Sequence, residues 1–147
     1  MNSKKSVEKV RAFNRFYLSS MNLLGNHYLG SEYSVTEARI IYEIYKNEGC
    51  NATYIAQIMN IDKSYLSRII KSYEKKGYVL KKPSDTDGRS YLLFLTGEGR
   101  KWAEEFIERS NKEIENILQK FSDKEEQCLV DAIETIMKLL NKEKGEH

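Results

Sequence analysis

The run Asp62–Gly77, Asp-Lys-Ser-Tyr-Leu-Ser-Arg-Ile-Ile-Lys-Ser-Tyr-Glu-Lys-Lys-Gly, constrains this chain more than any other stretch. Asp62 is a good N-cap, because its carboxylate accepts the orphan amide hydrogens of a first helical turn. Gly77 is a good stop, since it turns left-handed without a Cβ penalty. Between them Leu66, Ile69, Ile70 and Tyr73 fall at i, i+3, i+4 and i+7, which is one apolar helical stripe. The opposite face carries Ser64, Arg68, Lys71 and Lys75, with Ser67 and Lys63 on a shoulder. The segment predicts a short helix, buried on one side and showing hydroxyls and cations on the other.

Its neighbours give that helix a setting. Upstream, residues 52–61 read as a second short helix, with Asn51 as its cap and Asn60 closing it. Asparagine is the non-glycine residue best suited to a left-handed closing position. Two short helices joined by about three residues make a helix-turn-helix. Downstream, Val79-Leu-Lys-Lys and Tyr91-Leu-Leu-Phe-Leu are strand-like, and Pro83-Ser-Asp-Thr-Asp-Gly-Arg-Ser between them is turn chemistry. A helix-turn-helix followed at once by a hairpin is a winged helix, and a basic exposed helix there predicts contact with DNA. Ser64, Ser67 and Arg68 are placed to reach base edges in the major groove. Lys63, Lys71 and Lys75 are placed for phosphates, which position without specifying. Lys81 and Lys82 sit where the wing approaches the backbone.

Charge is distributed to match. The net formal charge is only +2, but residues 52–100 hold nine Lys/Arg against five Asp/Glu, and residues 101–147 hold eight against twelve. A basic middle and an acidic tail fit a module that meets phosphate at one end only. At 147 residues, rich in helix formers and with one proline, the chain is expected to form one mainly α domain. No apolar run approaches the ~18 residues of a membrane span. No signal-peptide pattern is apparent, so a cytoplasmic location is expected.

Helices are expected at both ends. From about Lys5 to Leu29 one amphipathic segment carries Val10, Phe13, Tyr17, Met21 and Leu24, with Phe16, Leu18 and Leu23 widening its apolar surface. Ser34-Val-Thr-Glu37 reads as a capping box, although Thr36 would serve equally as cap. It precedes a helix that buries Ile40, Ile41, Ile44 and Tyr45. Thr96 is expected to cap a long helix reaching about Gln119, and Ser122-Asp-Lys-Glu125 to open a last one with Leu129, Ile133, Ile136 and Leu140. The surplus apolar surface of the terminal helices predicts a partner chain.

Catalysis is not expected. The histidines are His27 and His147, no Cys/His group has zinc spacing, and Gly97-Glu-Gly-Arg-Lys lacks the phosphate-loop pattern. Neither metal nor cofactor is implied. Cys50 and Cys128 are too few for a disulfide framework and read as reduced, small side chains.

Several motifs together resemble the MarR family of bacterial transcription regulators: Ile55-Ala56, Asp62 to Arg68, Glu74-Lys-Lys-Gly77, Lys81-Lys-Pro83, Asp85-Thr-Asp-Gly-Arg-Ser90 and Leu95-Thr-Gly-Glu-Gly-Arg100. The resemblance implies a winged helix-turn-helix unit over 34–100, with dimerisation helices in 1–33 and 101–147. It implies a homodimeric repressor of a pseudo-palindromic double-stranded operator, relieved by a small aromatic effector. It places Arg89, beside Gly88 at the wing tip, in the minor groove, and gives Asp87 a bracing role through Arg68 or Arg89. An effector cleft would draw on Phe13, Tyr17, His27, Tyr28, Tyr33 and Tyr42. The alternative is a winged helix used for protein contacts or ligand binding without DNA. The cationic helix face and Arg89 weigh against it.

Overall fold

The computed structural model describes residues 3–25, 27–86 and 90–143. Its elements are α1 (Ser3–Ser20), a short 3-10 turn (Tyr28–Gly30), α2 (Val35–Lys46), α3 (Ala52–Met59), α4 (Lys63–Lys75), β1 (Val79–Pro83), β2 (Tyr91–Leu95), α5 (Gly97–Leu118) and α6 (Asp123–Glu143). The chain divides into two compact units, residues 1–107 and 108–147. No helix among the described residues is long and apolar enough to cross a membrane.

The first unit is built around α2 and α4. Ile40, Ile41 and Ile44 of α2, Ile55 of α3 and Leu66 of α4 are fully buried, and Ile69, Ile70 and Tyr73 complete the α4 stripe anticipated from the sequence. Burying one such side chain stabilises by roughly 1.5–3 kcal/mol, so this one cluster holds three helices. Val79, Leu93 and Leu95 extend it under the hairpin.

The caps are those read from the sequence. The Asp62 carboxylate accepts from the Tyr65 amide at 3.0 Å, and Asn51 accepts from the Tyr54 amide at 2.8 Å. Ser34, not Thr36, caps α2 in a reciprocal box with Glu37. Asn60 closes α3 in the left-handed conformation at φ 53°, and Gly77 does so after α4 at φ 84°.

One boundary differs from expectation. The first helix ends at Ser20 rather than near Leu29. Asn22 turns left-handed at φ 55°, and the Leu23 amide donates back to the Leu18 carbonyl at 2.9 Å. This is the same closing geometry that Asn60 gives α3, and the apolar pattern continuing through Leu24 conceals it.

The hairpin pairs antiparallel in the register Val79↔Leu95, Lys81↔Leu93 and Pro83↔Tyr91. The α2–α3 turn adds a third edge to it. Gly49 N donates to Leu93 O, and Leu93 N to Cys50 O, each at 2.8 Å. The Glu48 carboxylate accepts from the Leu95 amide at 3.1 Å and pairs with Arg100.

In the second unit, the end of α5 and α6 are joined by a turn that Ser122 and Glu125 cap reciprocally. No residue of α1 and none of the described residues of α6 is buried. The two helices leave Val10, Phe13, Phe16, Leu139 and Leu140 among the large exposed apolar side chains.

Gly99 is a constraint of a different kind. It lies in the first turn of α5 against the backbone of Tyr78, and a methyl group there would overlap the Tyr78 carbonyl oxygen. Gly97, two residues earlier, has open space around it. Gly99→Ala should therefore lower unfolding stability by about 1–3 kcal/mol, the usual cost of overpacking. Gly97→Ala should leave it nearly unchanged in the same denaturant titration.

Candidate nucleic-acid interface

The interface is assembled by the face of α4 that the core does not use. Because Leu66, Ile69, Ile70 and Tyr73 turn inward, Lys63, Ser64, Ser67, Arg68, Lys71 and Lys75 are all left exposed. Among the described residues none of the four cations on this face pairs with a carboxylate. The one carboxylate within α4, Glu74, lies on the shoulder toward the hairpin, 3.6 Å from Lys81 Nζ.

A cleft of about 190 Å³ separates α4 from the hairpin. Lys63 and Ser67 line one wall, Lys81 and Tyr91 the other, and Asn51 and Thr53 at the start of α3 close one end. The three elements thus bring two lysines and several hydroxyl or amide groups to one opening, a combination suited to an anionic backbone.

The two wing lysines part company. In an extended strand successive side chains point to opposite faces, so Lys81 shares the Leu93 and Tyr91 face, while Lys82 lies over the Phe94 ring at 4.9 Å. Lys81 is held between Glu74 and Tyr91, whose ring centroid is 5.8 Å away. Strand alternation in the sequence already contains the signal for this difference. Asp87, Gly88 and Arg89 lie outside the described residues, as does His147.

Two exposed aromatics were not singled out from the sequence. Tyr65 lies beside Arg68 on α4, with the guanidinium carbon 6.0 Å from its ring centroid. Tyr91 lines the cleft. The signal for Tyr65 was its i, i+3 spacing to Arg68.

The six residues considered for an effector cleft are distributed over separate settings. Phe13 and Tyr17 stack on each other on exposed α1 at 5.5 Å, and Tyr42 is exposed on α2. His27 Nδ1 is 3.0 Å from the Ser31 carbonyl, and Tyr28 stacks on Phe106. Tyr33 is buried, edge-on to Tyr73 and Trp102, with its hydroxyl accepting from Lys76 Nζ at 3.0 Å. Among the described residues no ring contact joins the Phe13–Tyr17 pair to the others.

Burial is the first cause holding the phenols of Tyr33 and Tyr73 protonated well above their ordinary value of 10.0. Burial also pushes the Cys50 thiol up, which disfavours a reactive thiolate. Cys128 is exposed on α6. Among the described residues no group of three or more His, Cys, Asp or Glu side chains is arranged to hold a metal ion.

This architecture, with a basic helix beside a two-stranded hairpin, defines the chain as a winged helix-turn-helix protein. Residues 32–90 match the model of the MarR family. It is 32% identical over 56 residues to a Thauera aromatica protein assigned as a transcriptional regulatory protein for the hcr operon. That match takes in 38% of this chain but only 34% of the relative, so the chain matches about a third of that protein's length. The fold is similar to that of a MarR transcriptional regulator from Methanosarcina mazei Go1, with TM-score 0.74 and 22% identity over 89% of this chain and 98% of that one. It is also similar to that of FabT from Streptococcus pneumoniae, solved in complex with DNA, with TM-score 0.71 and 19% identity over 97% and 99% of the two chains.

The buried phenols generate a test of the core behind this face. Tyr73 donates its hydroxyl to the Glu37 carbonyl at 2.7 Å. A phenol with a raised folded-state pKa contributes stability that is fully present below its unfolded value of about 10 and is lost as pH rises toward the folded value. Stability should therefore fall above pH 10. Tyr73→Phe should cost about 0.5–1.5 kcal/mol at neutral pH through the lost hydrogen bond, and should make the alkaline decline shallower. Denaturant midpoints at pH 8 and pH 11 for both proteins measure the two effects separately.

Proposed function

We propose that this chain is a sequence-specific, double-stranded-DNA-binding transcription regulator, acting as a homodimeric repressor that a small aromatic ligand releases. The carrying observation is the α4 face, where exposed cations without carboxylate partners stand beside a hairpin and a polar cleft. The similarity in fold to a FabT structure containing DNA supports the same reading.

In this reading α4 enters the major groove. Arg68 bonds bidentately to a guanine edge, and Ser64 and Ser67 bond a base or a phosphate. Lys63, Lys71 and Lys75 contact phosphate, as do the wing lysines, Lys82 more freely than Lys81 because Glu74 already engages Lys81. Arg89 enters the minor groove, where a narrow groove concentrates negative potential, with Asp87 bracing the wing through Arg68 or Arg89 and Gly88 beside them. The chain works as one domain in the cytoplasm, with 34–100 as the reading unit and 1–33 and 101–147 supplying the dimer contact. The exposed apolar rows of α1 and α6 support that contact, because monomers seldom leave such surface bare. A two-fold dimer sets its recognition helices about one DNA turn (~34 Å) apart and so reads a palindrome. Effector relief has the lightest support, the exposed Phe13–Tyr17 pair. The reading includes no catalytic step.

The test separates specific from unspecific contacts. Arg68→Ala should cost about 1–3 kcal/mol on a duplex selected by the parent protein and should relax base preference. Lys75→Ala should weaken all duplexes alike and lower the salt slope by roughly one. Binding to selected and scrambled duplexes at several salt concentrations decides it. Equal proportional losses on both duplexes for the two variants would exclude α4 as the recognition helix.

A further inference from the structure

Guanidinium groups in the first unit meet carboxylates and aromatic rings in different combinations. Arg39 is bonded to Glu43 at 3.0 Å; Arg100 is paired with Glu48 and also lies over the Tyr45 ring at 5.7 Å, so a carboxylate offsets each charge. Arg68 has no carboxylate partner among the described residues, and its guanidinium carbon lies 6.0 Å from the Tyr65 ring centroid. The backbone that carries the ring is well fixed. Asp62 accepts from the Tyr65 backbone amide at 3.0 Å, which pins the residue in the first turn of α4. Tyr65, Arg68 and Ser72 then follow one another along one side of the helix, while Lys63, Ser67 and Glu74 take the side facing the hairpin.

The difference matters chemically. A carboxylate orders a guanidinium but occupies its N–H groups and neutralises it. An aromatic face orders the guanidinium through the ring quadrupole and leaves its charge and in-plane donors free. A long side chain ordered in advance loses less freedom when it binds.

Resting on the DNA-binding reading above, we propose that Tyr65 is a positioning residue that pre-orients Arg68 for a base edge and so sets sequence preference without touching the base. The ring is the working part, and the hydroxyl is not required.

Four variants test this on a duplex selected by the parent from a random pool and on its scrambled counterpart: Tyr65→Phe, Tyr65→Leu, Arg68→Ala and the Tyr65→Leu/Arg68→Ala pair. Tyr65→Leu should weaken the selected duplex about three- to fivefold, in keeping with an exposed cation–aromatic contact, and leave the scrambled one unchanged. Tyr65→Phe should stay near the parent. On the Arg68→Ala background, Tyr65→Leu should add nothing, the non-additivity expected of one coupled pair. Should Tyr65→Leu fail to fold, Tyr65→Gln removes the ring while keeping a good helix former. Equal losses for Phe and Leu would show that the hydroxyl is the contact and overturn the proposal, as would additive losses in the pair. A parent that prefers no duplex over its scrambled form would overturn the DNA reading itself. A parent that discriminates while the pair is additive would overturn the role of Tyr65 alone.

Discussion

Burial of the α4 stripe is the constraint from which the rest of the structure follows. Leu66, Ile69, Ile70 and Tyr73 can reach the α2 isoleucines in only one rotation of the helix about its axis. That rotation fixes where the remaining side chains go. Arg68, Lys71 and Lys75 face outward because the apolar residues cannot. The core therefore orients a cationic row as a by-product of hydrophobic burial. A rotation by one residue, about 100°, would expose isoleucines and bury charge, and both changes are unfavourable by several kcal/mol.

The same core sets the hairpin. Its second strand is tied on one edge to β1 and on the other to the α2–α3 turn through Gly49, Cys50 and Leu93. Glu48 adds a side-chain bond to the Leu95 amide and an ion pair to Arg100 at the head of α5. The close approach of Gly99 to Tyr78 completes the joint between hairpin and α5. Turn and hairpin are thus coupled through backbone bonds, and α5 is joined to them by the Glu48 carboxylate and by close packing at Gly99.

Local chemistry was the legible part of the sequence. Asp62, Asn51, Ser34, Thr96 and Ser122 cap the helices they were expected to cap, and Asn60 and Gly77 close theirs. Caps depend on bonds within about four residues, so the sequence states them outright. Asn22 was missed because the apolar spacing runs on past it, and periodicity does not report a left-handed turn that leaves the pattern intact. Gly99 was missed because its requirement is a contact with Tyr78, a tertiary matter. Lys81 and Lys82 were adjacent in sequence and so were read together, yet the pleat separates them. Tyr33 looked available among many tyrosines, but its fate depended on Tyr73 and Trp102, far away in the chain.

Carboxylates are spent where the fold needs fixing: Glu43 on Arg39, Glu48 on Arg100 and Glu74 on Lys81. Each lies beside the outward row of α4 or away from it, and none neutralises that row among the described residues. Exposed ion pairs add little stability, commonly below about 1 kcal/mol, so their placement costs the fold almost nothing to vary. A row kept free of them bears self-repulsion that a counter-charged surface would relieve, and a polyanion relieves it on contact. The Glu74–Lys81 pair then acts at the border of the row, joining helix to hairpin on the one flank where a carboxylate does not face outward with the cations.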